Sequence, residues 1–206
     1  MMMGGVLSGS APPEEKENCM YVTYRVGAVG SYFPVVSTYF DIAQVSKMFI
    51  DGVEVQVSRY VKYVTTGEHT VKFVFSQLTT LYRMLYSVSD AMNTIIGVDM
   101  SSLDTSEVTT MNGMFYYANY VTEIDMTGLD IGNVTNMSQM FAYCKSLTVV
   151  KMTGYPASLP ASPSNMFHNV TTNGTFYYNS RTDVEFLDKI SLILTVLPTS
   201  WEAQTL

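Results

Sequence analysis

Few side chains in this sequence have the type and spacing that catalysis or metal binding requires. The two histidines, His69 and His168, lie in no His-x-x-x-His or Cys-x-x-Cys pattern of the kind that binds zinc. The sequence has no Gly-x-Ser-x-Gly elbow for a nucleophilic serine, and Gly27-Ala28-Val29-Gly30 is typical of a turn, not of a phosphate-binding loop. We therefore expect satisfied or surface histidines and a non-enzymatic protein that uses no cofactor and no metal.

Aspartates recur at a fixed spacing, and this recurrence has two interpretations. Asp104 and Asp130 are 26 residues apart, so stacked repeats could align them as a ladder of calcium sites. A carboxylate that accepts a backbone N–H two residues later explains the same recurrence. We favour the turn, because Asp99 and Asp125 are followed at the next equivalent position by Lys151, which breaks a metal ladder.

The composition argues against several classes of partner. Of 206 residues only 14% are charged, and the formal net charge is -7. Such an acidic chain offers no positive surface for nucleic acid or for an anionic membrane. No apolar run approaches the ~18 residues that cross a bilayer, so we expect no membrane insertion. The 15 methionines suit an irregular core, and the 15 tyrosines suit half-buried or recognition surfaces. Two cysteines, Cys19 and Cys144, could pair only with each other, and nothing in the sequence requires it.

The first two segments are read from their turn and charge patterns. Residues 1–19 are rich in Gly, Pro and Glu and lack a signal-peptide pattern, which predicts an extended anchoring arm, unless a leader was removed. We expect the arm to dock on neighbouring subunits or another protein of an assembly; an arm folded back on its own domain and a tag remnant are alternatives. Residues 20–77 alternate with a period of two and contain the hairpin signal Asp51-Gly52, which predicts a small antiparallel β domain.

From residue 78 to about residue 180 the chain repeats itself every 26 residues. Val108–Phe115 and Val134–Phe141 match at this offset, and 26 lies within the length range of leucine-rich repeats. In each unit the spacing Val121-x-x-Ile124-x-Met126 predicts a strand, and Met137-x-x-Met140-Phe141 predicts a short helix. Residues 181–206 are predicted to be a capping helix and tail, with the helix over Asp183–Leu194 and Trp201 packed back as a lid. The predicted fold class is α+β: a small antiparallel β domain, then a short leucine-rich-repeat-like solenoid with a C-terminal cap.

These repeats resemble the 26-residue repeat of the BspA-type leucine-rich surface proteins. The resemblance rests on Ser101–Phe115 and, more closely, on Val134-Thr135-Asn136-Met137-Ser138-Gln139-Met140-Phe141-x-x-Cys144-x-x-Leu147. Cys144 falls where that family often places cysteine, although Ala118 occupies the equivalent position one repeat earlier, so a small buried residue is sufficient there. The family's usual Trp before the Asp is Leu103 or Leu129 here. The resemblance implies adhesion or host contact, and its repeats also occur as accessory modules of phage and other surface proteins.

Two functional hypotheses follow for a non-enzymatic protein that displays these repeats. The first is a virion component, such as a phage fibre or a capsid or tail decoration protein, anchored through its N-terminal part. The alternative is a secreted or cell-surface bacterial adhesin. The expected partners are other virion subunits or host surface proteins and glycans, with a possible homo-oligomer. Outward positions on the predicted repeat strands form the candidate binding face: Ile96, Asp99, Thr122, Glu123, Asp125, Thr148 and Lys151.

Overall fold

The computed structural model describes residues 17–30, 32–87, 94–154, 165–179 and 193–206. The N-terminal half contributes β1 (Cys19–Val26), β2 (Tyr32–Pro34), β3 (Val45–Ile50), β4 (Val53–Val55), β5 (Tyr60–Lys62) and β6 (Gly67–Phe75). The remaining strands are β7 (Ile95–Asp99), β8 (Glu123–Met126), β9 (Val149–Met152), β10 (Gly174–Tyr178) and β11 (Trp201–Thr205). A short 3-10 helix, Ile42–Gln44, precedes β3. The arm, residues 1–16 above all, lies outside the described residues.

The first sheet is antiparallel and has five strands in the order β4-β3-β6-β1-β7. Its β3–β4 hairpin turns at Asp51 and Gly52, whose φ angles are 50° and 82°. Two consecutive residues with positive φ are what a two-residue hairpin turn requires, so the predicted hairpin is confirmed. The edge strand β7 lies beyond residue 77, so this sheet extends past the boundary predicted for the first domain. A separate two-stranded sheet pairs β2 with β5, and Pro34 ends β2 where no ladder donor is needed.

The second sheet is parallel and carries the 26-residue repeat. Its order is β11-β10-β9-β8, and Ile124 pairs with Val150, which pairs with Phe176. The predicted repeat period is therefore confirmed as a physical register between β8 and β9. The segment 174–178 was predicted to replace a repeat strand, and it does so as β10.

Hydrogen-bonded turns stand where the repeats were predicted to form short helices. In the central repeat the Met140 N–H donates to the Met137 carbonyl at 3.2 Å, which closes a single turn. The Phe141 N–H instead leaves the repeat and donates to the Met166 carbonyl at 3.0 Å. Gln139 and Tyr143 have φ angles of 59° and 63°, a left-handed conformation that an α-helix cannot contain. The predicted helix at Met137–Phe141 is wrong, because alternate N–H groups bond to the next repeat and not to the residue four positions back.

The predicted α+β class is wrong as well. Strands account for 36% of the described residues and helices for 4%, in three sheets. The repeats supply strands and turns, in place of the strand and helix alternation of the predicted leucine-rich-repeat-like solenoid. The predicted capping helix lies mostly outside the described residues, of which 193–195 are helical. After it, Trp201 begins the edge strand β11 and lies 7% exposed against β10, as expected of a lid.

One continuous hydrophobic cluster joins both main sheets. It runs from Met20 in β1 to Trp201 in β11. Phe115, Phe141 and Phe167, spaced by 26 residues, line up with ring centroids 6.0 and 5.2 Å apart. The prediction that the Met and Phe stripes form core is thus confirmed.

Candidate functional site

The predicted binding face is built on the outward side chains of β8 and β9. Along β8 exposed Glu123 and Asp125 alternate with buried Ile124 and Met126, as the pleat of a half-buried strand requires. The parallel register sets Glu123 beside Val149 and Asp125 beside Lys151. These side chains therefore form two rows that run across the strands.

A lysine and two carboxylates organise the centre of this face. Lys151 Nζ lies 2.5 Å from Glu123 Oε1 and 3.5 Å from Asp125 Oδ2. The hydrogen bond to Glu123 is the main cause that raises the pKa of Lys151. Burial opposes ionisation of Asp125, but hydrogen bonds from Thr127 and the charge of Lys151 lower the pKa of Asp125 overall. All three groups are charged at neutral pH and partly exposed, so their mutual attraction adds little stability and leaves them able to exchange partners.

The remaining predicted residues border the same region. Ile96 and Asp99 lie on β7, which pairs with β1 in the antiparallel sheet, so they do not continue the parallel rows. They nevertheless line one cleft with Thr122, Glu123 and Asp125, between the ends of the two main sheets. On β9's side, Thr148 Oγ1 donates to the Thr122 carbonyl at 3.2 Å, so it has a structural bond as well as an exposed position. The seven residues thus occupy one surface, divided into a β7–β8 cleft and a β8–β9 charged patch.

Comparison with known proteins gives one match. Residues 55–177, more than half of the chain, match the family described as "Mycoplasma protein of unknown function, DUF285". The chain belongs to this family. All seven residues of the candidate face lie inside the matched DUF285 region. No curated protein and no solved structure matches the chain.

Aspartate turns recur through the DUF285 region as predicted. Asp104 Oδ1 accepts hydrogen bonds from the Ser106 N–H at 3.0 Å and the Ser106 hydroxyl at 2.7 Å. Asp130 Oδ1 accepts the Gly132 N–H at 2.9 Å. The hydrogen bonds from Ser106 lower the pKa of Asp104. The turn interpretation of the repeated aspartates is therefore confirmed. Within the described residues, no group of three or more His, Cys, Asp or Glu side chains is placed to hold a metal ion.

His69 has the connectivity of a catalytic histidine but not its chemistry. Nδ1 lies 2.7 Å from Asp51 Oδ2, and Nε2 lies 3.3 Å from Thr65 Oγ1. The Thr65 carbonyl is closer to Nε2, at 3.0 Å, and a carbonyl only accepts, so Nε2 carries a hydrogen and cannot act as a base towards the hydroxyl. The hydrogen bond to Asp51 is the main cause that raises the pKa of His69. The predicted satisfied histidine is confirmed for His69.

Cys144 is likewise a structural residue. Its side chain is fully buried, and Sγ donates to the Phe115 carbonyl at 3.0 Å. Burial raises the pKa of the thiol to about 12, so the thiolate nucleophile is not formed at neutral pH. Cys19 is also buried, and both cysteines are free. The expectation of a small buried residue at position 144 is confirmed.

An aromatic cluster around Arg83 was not predicted from the sequence. The guanidinium carbon lies 4.8 Å from the Tyr86 ring centroid, 4.9 Å from that of Tyr39 and 5.3 Å from that of Tyr82. A row of rings continues across the repeats, with Tyr86 stacked on Tyr116 at 4.8 Å. The one available signal was that Tyr86 precedes Tyr116 by 30 residues, the same offset that relates Met84-Leu85 to Met114-Phe115. Among the described residues, no helix is long and apolar enough to cross a membrane.

Proposed function

We propose that this DUF285 protein is a non-enzymatic recognition protein that binds a partner through the face formed by β7, β8 and β9. The observation that carries the proposal is the in-register pairing of β8 with β9, which aligns Glu123, Asp125 and Lys151 into one exposed charged patch. Strands fixed by a shared core hold such a patch rigidly, so little conformational entropy is lost when a partner binds. The same charges favour a partner with complementary polar and basic groups.

Two settings for this activity come from the sequence. A virion component, such as a fibre or decoration protein, is one; a cell-surface or secreted adhesin of the BspA type is the other. The description of the family as a Mycoplasma family supports a bacterial setting and hence the adhesin. Mass spectrometry of purified phage particles and of washed bacterial envelopes distinguishes the two settings, because the native chain is expected in one preparation and not in the other.

Site-specific crosslinking tests the face itself. A photoreactive amino acid at exposed Thr122 is expected to crosslink to a protein of the preparation that contains the chain, whereas the same group at exposed Thr66, outside the face, is not. The double variant Glu123→Lys, Asp125→Lys is expected to abolish the Thr122 adduct, since it reverses the charge of the patch while leaving the buried alternation of β8 intact. Adducts of equal yield at both positions, or an adduct that survives the charge reversal, would contradict the assignment of the face.

A further inference from the structure

A pocket of about 240 Å³ opens between the β2–β5 region and the first turn of the repeats. Its floor is apolar and contains Met84, Leu85 and Ile95, which are 0%, 2% and 6% exposed. Two tyrosines that line it, Tyr39 and Tyr60, are 51% and 42% exposed and therefore border its mouth. No residue of this pocket belongs to the candidate face on β8 and β9.

The lining selects an uncharged, flat, largely apolar group. None of the side chains that line the pocket carries a charge. A sugar ring would have to bury hydroxyl groups against Met84, Leu85 and Ile95, and an unpaired hydroxyl costs roughly 1–3 kcal/mol to bury. An aromatic ring loses no hydrogen bond there, gains area burial, and can contact the methionine sulfur and the tyrosine rings. The volume is below the roughly 300–1,000 Å³ of pockets for drug-sized ligands, so it suits a single side chain.

Arg83 holds the aromatic wall of the pocket in place. Its guanidinium packs against Tyr39 and Tyr86, whose rings meet edge to face at 5.5 Å. Arg83 Nε is buried and has no hydrogen-bond partner in the described structure, so these aromatic contacts are what fix the side chain. A wall that is fixed before binding reduces the entropy lost when a ring enters.

Unpaired backbone donors beside the pocket point to a peptide as the source of the ring. Val36 and Thr38 both line the pocket, and their backbone N–H groups donate to no acceptor among the described residues. Their neighbours are bonded, since the Val35 N–H donates to the Arg59 carbonyl and the Ser37 N–H to the Met84 carbonyl. Val36 is only 3% exposed, and a buried unpaired N–H is rare in native structures. A peptide supplies carbonyl acceptors next to its side chain, which a free aromatic compound does not.

We infer that this pocket binds one aromatic side chain of a protein partner, with backbone carbonyls of that partner accepting from Val36 and Thr38. The inference is independent of the proposed face, because it uses different residues and a different class of contact. A single deeply seated aromatic ring is a common energetic centre of a protein interface.

An NMR titration of the full chain with labelled methionine and isoleucine methyl groups tests the inference. The probes are N-acetyl-phenylalanine methylamide, N-acetyl-leucine methylamide, free p-cresol and a methyl glucoside. The phenylalanine amide is expected to shift the Met84 and Ile95 methyl signals saturably, with a dissociation constant in the millimolar range. Thr38→Phe, which places a ring over the mouth from an exposed position, is expected to weaken this binding at least tenfold. Thr66→Phe makes the same change at an exposed position outside the pocket and is expected to have no effect.

Each alternative result decides against part of the inference. Equal binding of the leucine amide or of the glucoside would show that the pocket does not select an aromatic ring. Binding of p-cresol without binding of the phenylalanine amide would identify a small-molecule site and overturn the peptide source. If Thr38→Phe changes the melting temperature, Tyr39→Ala replaces it, because removal of an exposed wall residue should also weaken binding. Unchanged shifts in both variants would place the probe elsewhere.

Discussion

Replacing Phe141 with alanine should destabilise the protein far more than replacing Cys144. Both side chains are fully buried in the central repeat, but Phe141 packs between the rings of Phe115 and Phe167, at centroid distances of 6.0 and 5.2 Å. Its truncation opens a cavity between two other repeats and should cost about 3–5 kcal/mol. Removal of the Cys144 sulfur leaves a much smaller void and breaks one weak S–H hydrogen bond, so the expected cost is about 1 kcal/mol.

Thermal unfolding followed by circular dichroism measures this difference. For a chain of 206 residues, each kcal/mol lowers the melting temperature by about 2–4 °C. Phe141→Ala should therefore lower it by about 6–20 °C, and Cys144→Ala by about 2–4 °C. The alanine at the equivalent position 118, which is also fully buried, indicates that the repeat tolerates this residue. Equal losses in the two variants would refute the 26-residue packing register.

Three further predictions concern other parts of the chain. His69→Gln should remove a loss of stability that the wild type shows between about pH 6 and pH 9: since its folded pKa is raised, the imidazolium stabilises fully below the ordinary value of 6.5 and stops doing so as the pH rises through the folded pKa, which melting temperatures at several pH values will show. Gly174→Ala should shift the fluorescence of the single tryptophan to the red, because an added Cβ would lie 2.5 Å from the Trp201 ring, whereas Gly27→Ala has open space and should not. Deletion of residues 1–13 should leave the melting temperature nearly unchanged but prevent incorporation into an assembly; unimpaired incorporation would contradict the anchoring role of the arm.

Features fixed by local chemistry could be predicted from the sequence. The Asp51-Gly52 turn needs only two residues that tolerate positive φ, and the aspartate turns need only a carboxylate and an N–H two residues later. The period of the repeats could be predicted too, because a shared core requires Phe115 and Phe141 to recur at one spacing. None of these depends on how distant segments meet.

The repeat helices could not be predicted correctly, because apolar spacing does not distinguish a helix from two successive turns. Met137, Met140 and Phe141 are all buried in the structure, as a helix would also bury them. What differs is the backbone: a neighbouring repeat offers the Met166 carbonyl to the Phe141 N–H, and this bond replaces an intrahelical one. Tertiary pairing therefore overrides the local signal.

The Arg83 cluster and its pocket depend on such distant contacts. The Ser37 N–H donates to the Met84 carbonyl, and the Ser37 hydroxyl donates to the Arg83 carbonyl at 2.5 Å. These bonds attach the segment after β2 to the first repeat turn and bring Tyr39 beside Tyr86. No spacing in the sequence relates residue 39 to residue 86, so only the fold reveals the site.

The candidate face owes its cleft to a competition for β7. At the repeat offset Val98 corresponds to Ile124, so β7 could extend the parallel sheet beside β8. Instead Val98 pairs with Val22 of β1, whose other edge already bonds to β6. A β1 without β7 would expose a row of unpaired backbone groups, and the antiparallel ladder that β7 supplies satisfies them. The side chains that the repeat would have placed in a third row therefore border an open cleft beside β8. The sequence encodes both pairings of β7, and the one that completes the first sheet shapes the surface where we expect a partner to bind.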